Sequence, residues 1–309
     1  MLEILIQKLI NNGRIGATEE YSTEYLSGAF LDAGLPVEIN GDELILREVD
    51  SPFDKGIIES HLLNLGEAIP HTLEIHQVID STNDYLKQIA KEHELPFIVL
   101  AEYQTKGHGR RGNRWVSSYG EDICCSVAWQ VNYGYMVTGV ESLIIALALA
   151  ETLEQIGLNG VEVKWPNDIY VYGKKIAGIL IEQIFSGEQA ILIVGIGLNL
   201  KRRIQEGESD QFMGTSIGNE IGDYDRNLVV AMLIEDQLRA LSELIPHLNE
   251  ELMLKWSGRD FLRGKEISIE QDGLIKGRYM GIDKQGRLLL ETKEQFFKIT
   301  SGHITEISL

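Results

Sequence analysis

The chain has 309 residues, 44% of them hydrophobic, which is enough for two or three domains and at least one substantial core. Its 28 basic residues face 47 acidic ones, a formal charge of −19 that repels polyanions, so any phosphate site must be a local basic island. The adjacent Cys124 and Cys125 make no disulfide framework, the apolar run from Leu143 to Ala150 is too short to span a bilayer, and the start lacks signal-peptide features, so a soluble cytoplasmic protein is expected.

Residues 1–65 read as helix, helix and hairpin. Glu3–Asn11 carries apolar residues at helical spacing and stops near Gly13. Thr18–Ala33 is a second helical stretch with Thr18 as its N-cap. Pro36–Glu48 alternates around Asn40-Gly41, a hairpin signal, and Ser51-Pro52 opens a connecting segment. Residues 66–257 mix strands, expected at 72–79, 97–103, 122–130, 161–164, 168–172, 175–183 and 190–198, with helices at 81–93, 139–156 and 226–246. The helix at 139–156 is apolar around most of its circumference and should be buried. Residues 258–309 alternate in short strands, with Gly273, Gly281, Gly286 and Gly302 at the turns, and suggest a small β-barrel.

Four segments carry chemistry. Gly107-His108-Gly109-Arg110-Arg111-Gly112 follows a strand and spells G-x-G-x-x-G, but loop and strand follow it where a dinucleotide fold needs a helix. No G-x-x-x-x-G-K-[ST] occurs, which excludes a P-loop. What is left is a glycine loop that can bring backbone N–H groups and guanidinium forks onto an anion, against the alternative of a solvated charged turn. Lys164-Trp165-Pro166-Asn167-Asp168 and Lys174-Lys175-Ile176-Ala177-Gly178 place lysines beside apolar strands, although either lysine alone is more often a solvated strand end. Ile79-Asp80-Ser81-Thr82-Asn83 caps a helix start and also offers groups suited to the ureido of a small heterocycle. Val194-Gly195-Ile196-Gly197-Leu198-Asn199 ends a buried strand with two glycines that allow close approach of a ligand.

In this order and spacing, IDSTN, AEYQTKGHGRRGNRW, VKWPND, KKIAGILIE and VGIGLN, with GIDKQGRLLL near the end, resemble the biotin protein ligases from about residue 70 onward. The resemblance implies an α/β fold: a class II synthetase-like catalytic domain on a mixed sheet (66–257), an SH3-like C-terminal barrel (258–309) and a small winged-helix-like N-terminal domain (1–65). It implies ATP-dependent formation of biotinyl-5'-AMP, with Mg²⁺ on the polyphosphate, then transfer of biotin to a lysine of a biotin carboxyl carrier protein. Ser81, Thr82, Asn83, Gln104, Gly107, Gly109 and Gly178 are implied around biotin. Arg110, Lys175, Lys164 and Asp168 are implied in catalysis, with Arg110 and Lys175 also touching biotin. His108, Arg111, Arg114, Trp115, Asn167 and Asn199 are implied around the nucleotide. No metal ligand is assigned, and a homodimer is among the assemblies the resemblance allows.

Two departures fall in the loop: the family usually has arginine where this chain has His108, and often another where it has Asn113. The N-terminal region departs further. Residues 1–65 hold four basic and twelve acidic residues, and Ile15–Leu46 contains no Lys or Arg. Phosphate neutralisation supplies most DNA affinity, so this region reads as a degenerate winged domain that does not bind DNA. The competing readings are a bifunctional ligase and transcriptional repressor, a lipoate or octanoate ligase, and a biotin-binding pseudoenzyme.

Overall fold

The computed structural model describes residues 2–32, 35–47, 52–66, 72–132, 134–186, 189–201, 214–271 and 273–308. It begins with helix α1 (Leu2–Asn12), strand β1 (Arg14–Gly16), helix α2 (Thr23–Asp32) and the hairpin β2 (Val37–Asn40) and β3 (Glu43–Leu46). The three strands form one sheet in the order β1-β3-β2. The second helix starts later than expected. Ser22 Oγ accepts the Tyr25 N–H at 3.2 Å, whereas Thr18 Oγ1 accepts the Tyr21 N–H at 3.0 Å and closes only the turn before it. Ala33 and Glu48, the expected ends of the helix and hairpin, lie outside the described residues.

Helix α3 (Lys55–Asn64) occupies the expected connecting segment, capped by Asp54, whose side chain accepts the Ile57 N–H. It buries Ile58 and Leu62 in the core of the central sheet, although it precedes the expected boundary at residue 65.

The central sheet holds β4 (Thr72–His76), β5 (Phe97–Ala101), β6 (Asp122–Val131), β7 (Val161–Lys164), β8 (Asp168–Val171), β9 (Lys174–Ser186) and β10 (Gln189–Asn199). Its order is β4-β5-β6-β10-β9-β8-β7, with β4 and β5 parallel and the other pairs antiparallel. Helix α4 (Thr82–Ile89) connects β4 to β5, and α5 (Val140–Gln155) connects β6 to β7. Strands covered on both faces should read as continuous apolar runs, and β5 does. Phe97 and Val99 pack with Leu86 of α4, while Ile98 and Leu100 face the cluster containing α5. The expected burial of α5 holds: Leu143, Ile145, Ala146, Ala150 and Leu153 are fully enclosed.

Helices α6 (Ile217–Ile221), α7 (Arg226–Ser242) and α8 (Glu250–Arg259) follow. The C-terminal strands are β11 (Glu266–Gln271), β12 (Gly273–Ile282), β13 (Leu288–Glu291), β14 (Phe296–Ile299) and β15 (His303–Ser308). They form an antiparallel sheet in the order β14-β13-β12-β11-β15. Its core residues Ile267, Ile269, Leu288 and Leu290 join the core of the central sheet, and Trp165 Nε1 donates to the Gly286 carbonyl at 2.9 Å. A separate cluster closes the N-terminal unit: Leu5, Leu9, Leu26 and Phe30 pack with Tyr103 and Tyr119, which flank the glycine loop in sequence.

Candidate active site

Side chains alternate along a strand, so Ser126, Gly195 and Gly197 share the face of the sheet that carries α4. Beyond the N-terminus of α4 this face opens into a cavity of about 330 Å³. The glycine loop and the turn between β7 and β8 wall it, and Gly302, His303 and Ile304 of the C-terminal region complete the wall.

One end is neutral and polar. Ser81 caps α4, its Oγ accepting the Asp84 N–H at 3.3 Å. Gln104 Oε1 accepts from the Thr82 N–H at 2.7 Å and from Thr82 Oγ1 at 3.1 Å. Ser126 Oγ lies 2.6 Å from Thr82 Oγ1 and donates to Asn83 Oδ1 at 2.6 Å, and Asn83 Nδ2 donates to Glu182 Oε2 at 2.9 Å. These bonds fix the direction of the Asn83 amide.

The other end is cationic. Arg110, Arg111, Arg114, Lys164 and Lys175 line the cavity, and among the described residues Asp168 is the single carboxylate that does. Lys175 Nζ pairs with Asp168 Oδ1 at 2.7 Å and lies 5.8 Å from the Trp115 ring centroid. Lys164 Nζ donates to Tyr170 Oη at 3.3 Å. Burial pulls the Lys164 ammonium below the usual lysine range; Asp168 opposes this, and Lys175 and Lys265 add to it. Burial, then Arg111, also lowers Arg110, against Asp168. This is the basic island that the overall charge required of any anion site.

The glycine loop is a tight hairpin. Gly109 N–H donates to the Asn113 carbonyl at 2.7 Å and Trp115 N–H to the Gly107 carbonyl at 2.9 Å, with Arg111 at a left-handed φ of 59°. A Cβ on Gly107 would lie 2.9 Å from the Trp115 carbonyl oxygen, so glycine is needed there.

Of the residues expected at the site, the structure gathers Ser81, Thr82, Asn83, Gln104, His108, Gly109, Arg110, Arg111, Arg114, Trp115, Lys164, Asn167, Asp168, Lys175 and Gly178 around the cavity. Gly107 and Asn199 are not in its wall. Gly107 packs against the Trp115 carbonyl and the Gln104 side chain, and buried Asn199 donates through Nδ2 to the Thr215 carbonyl at 2.8 Å. His108 lines the cavity with Nδ1 3.7 Å from Asp84 Oδ2 and Nε2 3.9 Å from Glu182 Oε2, so its ring faces carboxylates of α4 and β9. Gly195 and Gly197 make room for protein, since a Cβ would strike the Asn83 amide at the first and the Trp115 indole at the second.

Ser126, Tyr170 and His303 were not foreseen. A lone serine in the apolar run of β6 is a weak signal for the first, and register supplies the rest by pairing Ser126 with Gly195. Asp84, His108 and Glu182 bring three donor atoms within 4.8 Å, but Lys87 Nζ fills the cationic place at 2.6 Å from Asp84 and 2.8 Å from Glu182. That group is an ion-pair cluster.

Residues 75–199 match the biotin/lipoate A/B protein ligase family, and residues 263–308 match the biotin protein ligase C-terminal domain. The bifunctional ligase/repressor BirA of Escherichia coli K12 is 38% identical over 237 residues, 74% of this chain and 71% of that protein. The biotin–[acetyl-CoA-carboxylase] ligase of Mycobacterium tuberculosis is 27% identical over 263 residues, 83% of this chain and 96% of its own length. Biotin protein ligase from Aquifex aeolicus, solved in complex with biotin and ATP, superposes with a TM-score of 0.65 at 28% identity, covering 76% of this chain and 98% of that one. With the polar and cationic ends of one cavity built from the matched segments, the chain belongs to the biotin protein ligase family.

Proposed function

We propose that this chain activates biotin with ATP as biotinyl-5'-AMP and transfers the biotin to a lysine of a biotin carboxyl carrier protein. The observation that carries the reading is the division of one cavity into a neutral hydrogen-bonding end and an end where Lys175, Lys164 and Arg110 gather about Asp168. The ureido group of biotin both donates and accepts hydrogen bonds, which suits Ser81, Thr82, Asn83, Gln104 and Ser126. A lipoyl chain has no ureido group to exchange hydrogen bonds with them, so the lipoate reading is weaker.

In the first step a biotin carboxylate oxygen bonds to the α-phosphorus, the bond from that phosphorus to the bridging oxygen breaks, and pyrophosphate leaves. Such a displacement asks the protein for positioning and positive charge. Lys175 and Arg110 are assigned to the carboxylate and α-phosphate, with Lys164 as further positive charge. Arg111, Arg114, Trp115 and Asn167 are assigned to the nucleotide. Asp168, the one carboxylate among the described lining residues, would be the side chain that holds Mg²⁺, which would supply positive charge to the polyphosphate. In the second step the acceptor amine attacks the acyl carbon, AMP leaves, and the new amide sheds a proton. With Asp168 held by Lys175, its role is to orient rather than to deprotonate.

We read the C-terminal sheet as an SH3-like barrel, the central fold as class II synthetase-like, and the first residues as a winged domain that has lost its basic face. To test the function, purified chain is incubated with biotin, ATP, Mg²⁺ and a biotin carrier domain. Intact mass should show one added biotin, absent when the acceptor lysine is replaced by arginine. An unmodified carrier would contradict the reading.

A further inference from the structure

His108, on the glycine loop, faces two carboxylates from the body of the protein. Asp84 reaches it from α4 and Glu182 from β9, Lys87 of α4 pairs with both carboxylates, and the Lys106 carbonyl lies 3.4 Å from Nδ1 within the loop. Lys87 cancels one of the two negative charges, so the cluster carries one net negative charge with a neutral imidazole and none with a protonated one. Both carboxylates belong to elements that form the polar end of the cavity: Asp84 is next to Asn83, and Glu182 accepts the Asn83 amide. An attraction between His108 and this pair therefore draws the loop onto the end where the ring would sit. The two contacts, at 3.7 and 3.9 Å, are longer than hydrogen bonds, and the three side chains keep between 27% and 41% exposure. That geometry suits a weak, reversible latch more than a fixed brace.

We propose that Asp84 and Glu182 are positioning residues that hold the glycine loop closed through His108, so that bound adenylate is released more slowly as pH falls. The retention part rests on the ligase reading above. Imidazole changes charge between about pH 5 and 8, so the attraction is present at the acidic end and lost at the basic end. The charge sits on the protein's own carboxylates rather than on a phosphate, which separates this device from a direct grip on the nucleotide.

The test measures adenylate release at about pH 6 and about pH 8.5 in the full chain and in Asp84→Asn, Glu182→Gln, His108→Gln and His108→Arg. The wild type is expected to release about two- to fivefold more slowly at the lower pH, the size of a partly exposed ion pair. Asp84→Asn and His108→Gln should flatten the profile, and His108→Arg, a permanent cation, should give slow release at both pH values. Asp84→Asn is the cleaner carboxylate variant, because Glu182 also orients Asn83. In parallel, NMR of the ligand-free chain follows the His108 ring protons, assigned with His108→Gln. Their chemical shifts at about pH 6 should move in both carboxylate variants. Shifts unmoved by either variant, a flat wild-type profile, or an Asp84→Asn profile as steep as the wild type would overturn the latch. A chain that forms no adenylate would overturn the ligase reading, and the ring-proton shifts would still decide the His108 contact.

Discussion

Lys175 Nζ and Asp168 Oδ1 meet 2.7 Å apart over Gly178, where a Cβ would lie 3.3 Å from the amine and 3.4 Å from the carboxylate. The glycine leaves the pair room, and the pair aims the lysine along the cavity. Lys175→Ala is expected to keep the fold and to slow adenylate formation about 30- to 1000-fold, the value of one charge-assisted contact of roughly 2–4 kcal/mol realised in the transition state. Asp168→Asn should cost less, because the lysine stays. Single-turnover pyrophosphate release measures both, and a loss under about threefold for Lys175→Ala would make that lysine a solvated strand end.

Trp115 lies against Gly197, with a backbone strand and no side chain behind it. Gly197→Ala should push the indole off the sheet and cost about 1–3 kcal/mol of stability, as overpacking does. The accompanying readout is the KM for ATP, which should rise more than the KM for biotin, together with a shifted tryptophan emission. An unchanged spectrum and KM would remove Trp115 from the nucleotide end.

A second ion pair is structural. Glu102 is fully buried, accepts the Phe53 N–H through Oε1, and pairs through Oε2 with Arg226 at 2.8 Å; the Arg226 guanidinium stacks 3.7 Å over the Phe53 ring. This ties the segment before α3 to α7 and β5. Arg226→Met removes the cation paired with a buried carboxylate and should cost about 3–5 kcal/mol in denaturant unfolding. A cost below about 1 kcal/mol would mean that Glu102 is otherwise compensated.

The motif-bearing segments were legible because each is local. A cap, a glycine hairpin and lysines at strand ends keep their geometry wherever the chain puts them, and 15 of the expected residues line one cavity. Ser126 and His303 were not legible: the first depends on the register of β6 against β10, the second on how the C-terminal sheet seats against the pocket. Helix α3 was hidden because only Ile58 and Leu62 are buried, too few to show a period. The His108 neighbours lie far apart in sequence, so no local pattern could show that two carboxylates await it.

DNA binding is expected to be undetectable. Glu19, Glu20, Glu24, Glu38, Asp42 and Glu43 are exposed on the N-terminal unit, and Ile15–Leu46 offers no basic residue to neutralise phosphate. A mobility shift on a biotin-operon operator, at low salt with biotinyl-adenylate present, tests this where electrostatic binding is strongest. A sequence-specific complex at submicromolar protein would restore the repressor reading.

The central claim is that this cavity adenylates biotin. The most direct measurement incubates the chain with ATP and Mg²⁺ and either biotin or lipoate, without carrier, following pyrophosphate release and the mass of the retained product. The account predicts stoichiometric pyrophosphate and biotinyl-5'-AMP with biotin, and little of either with lipoate. Robust turnover of lipoate with none of biotin would contradict it.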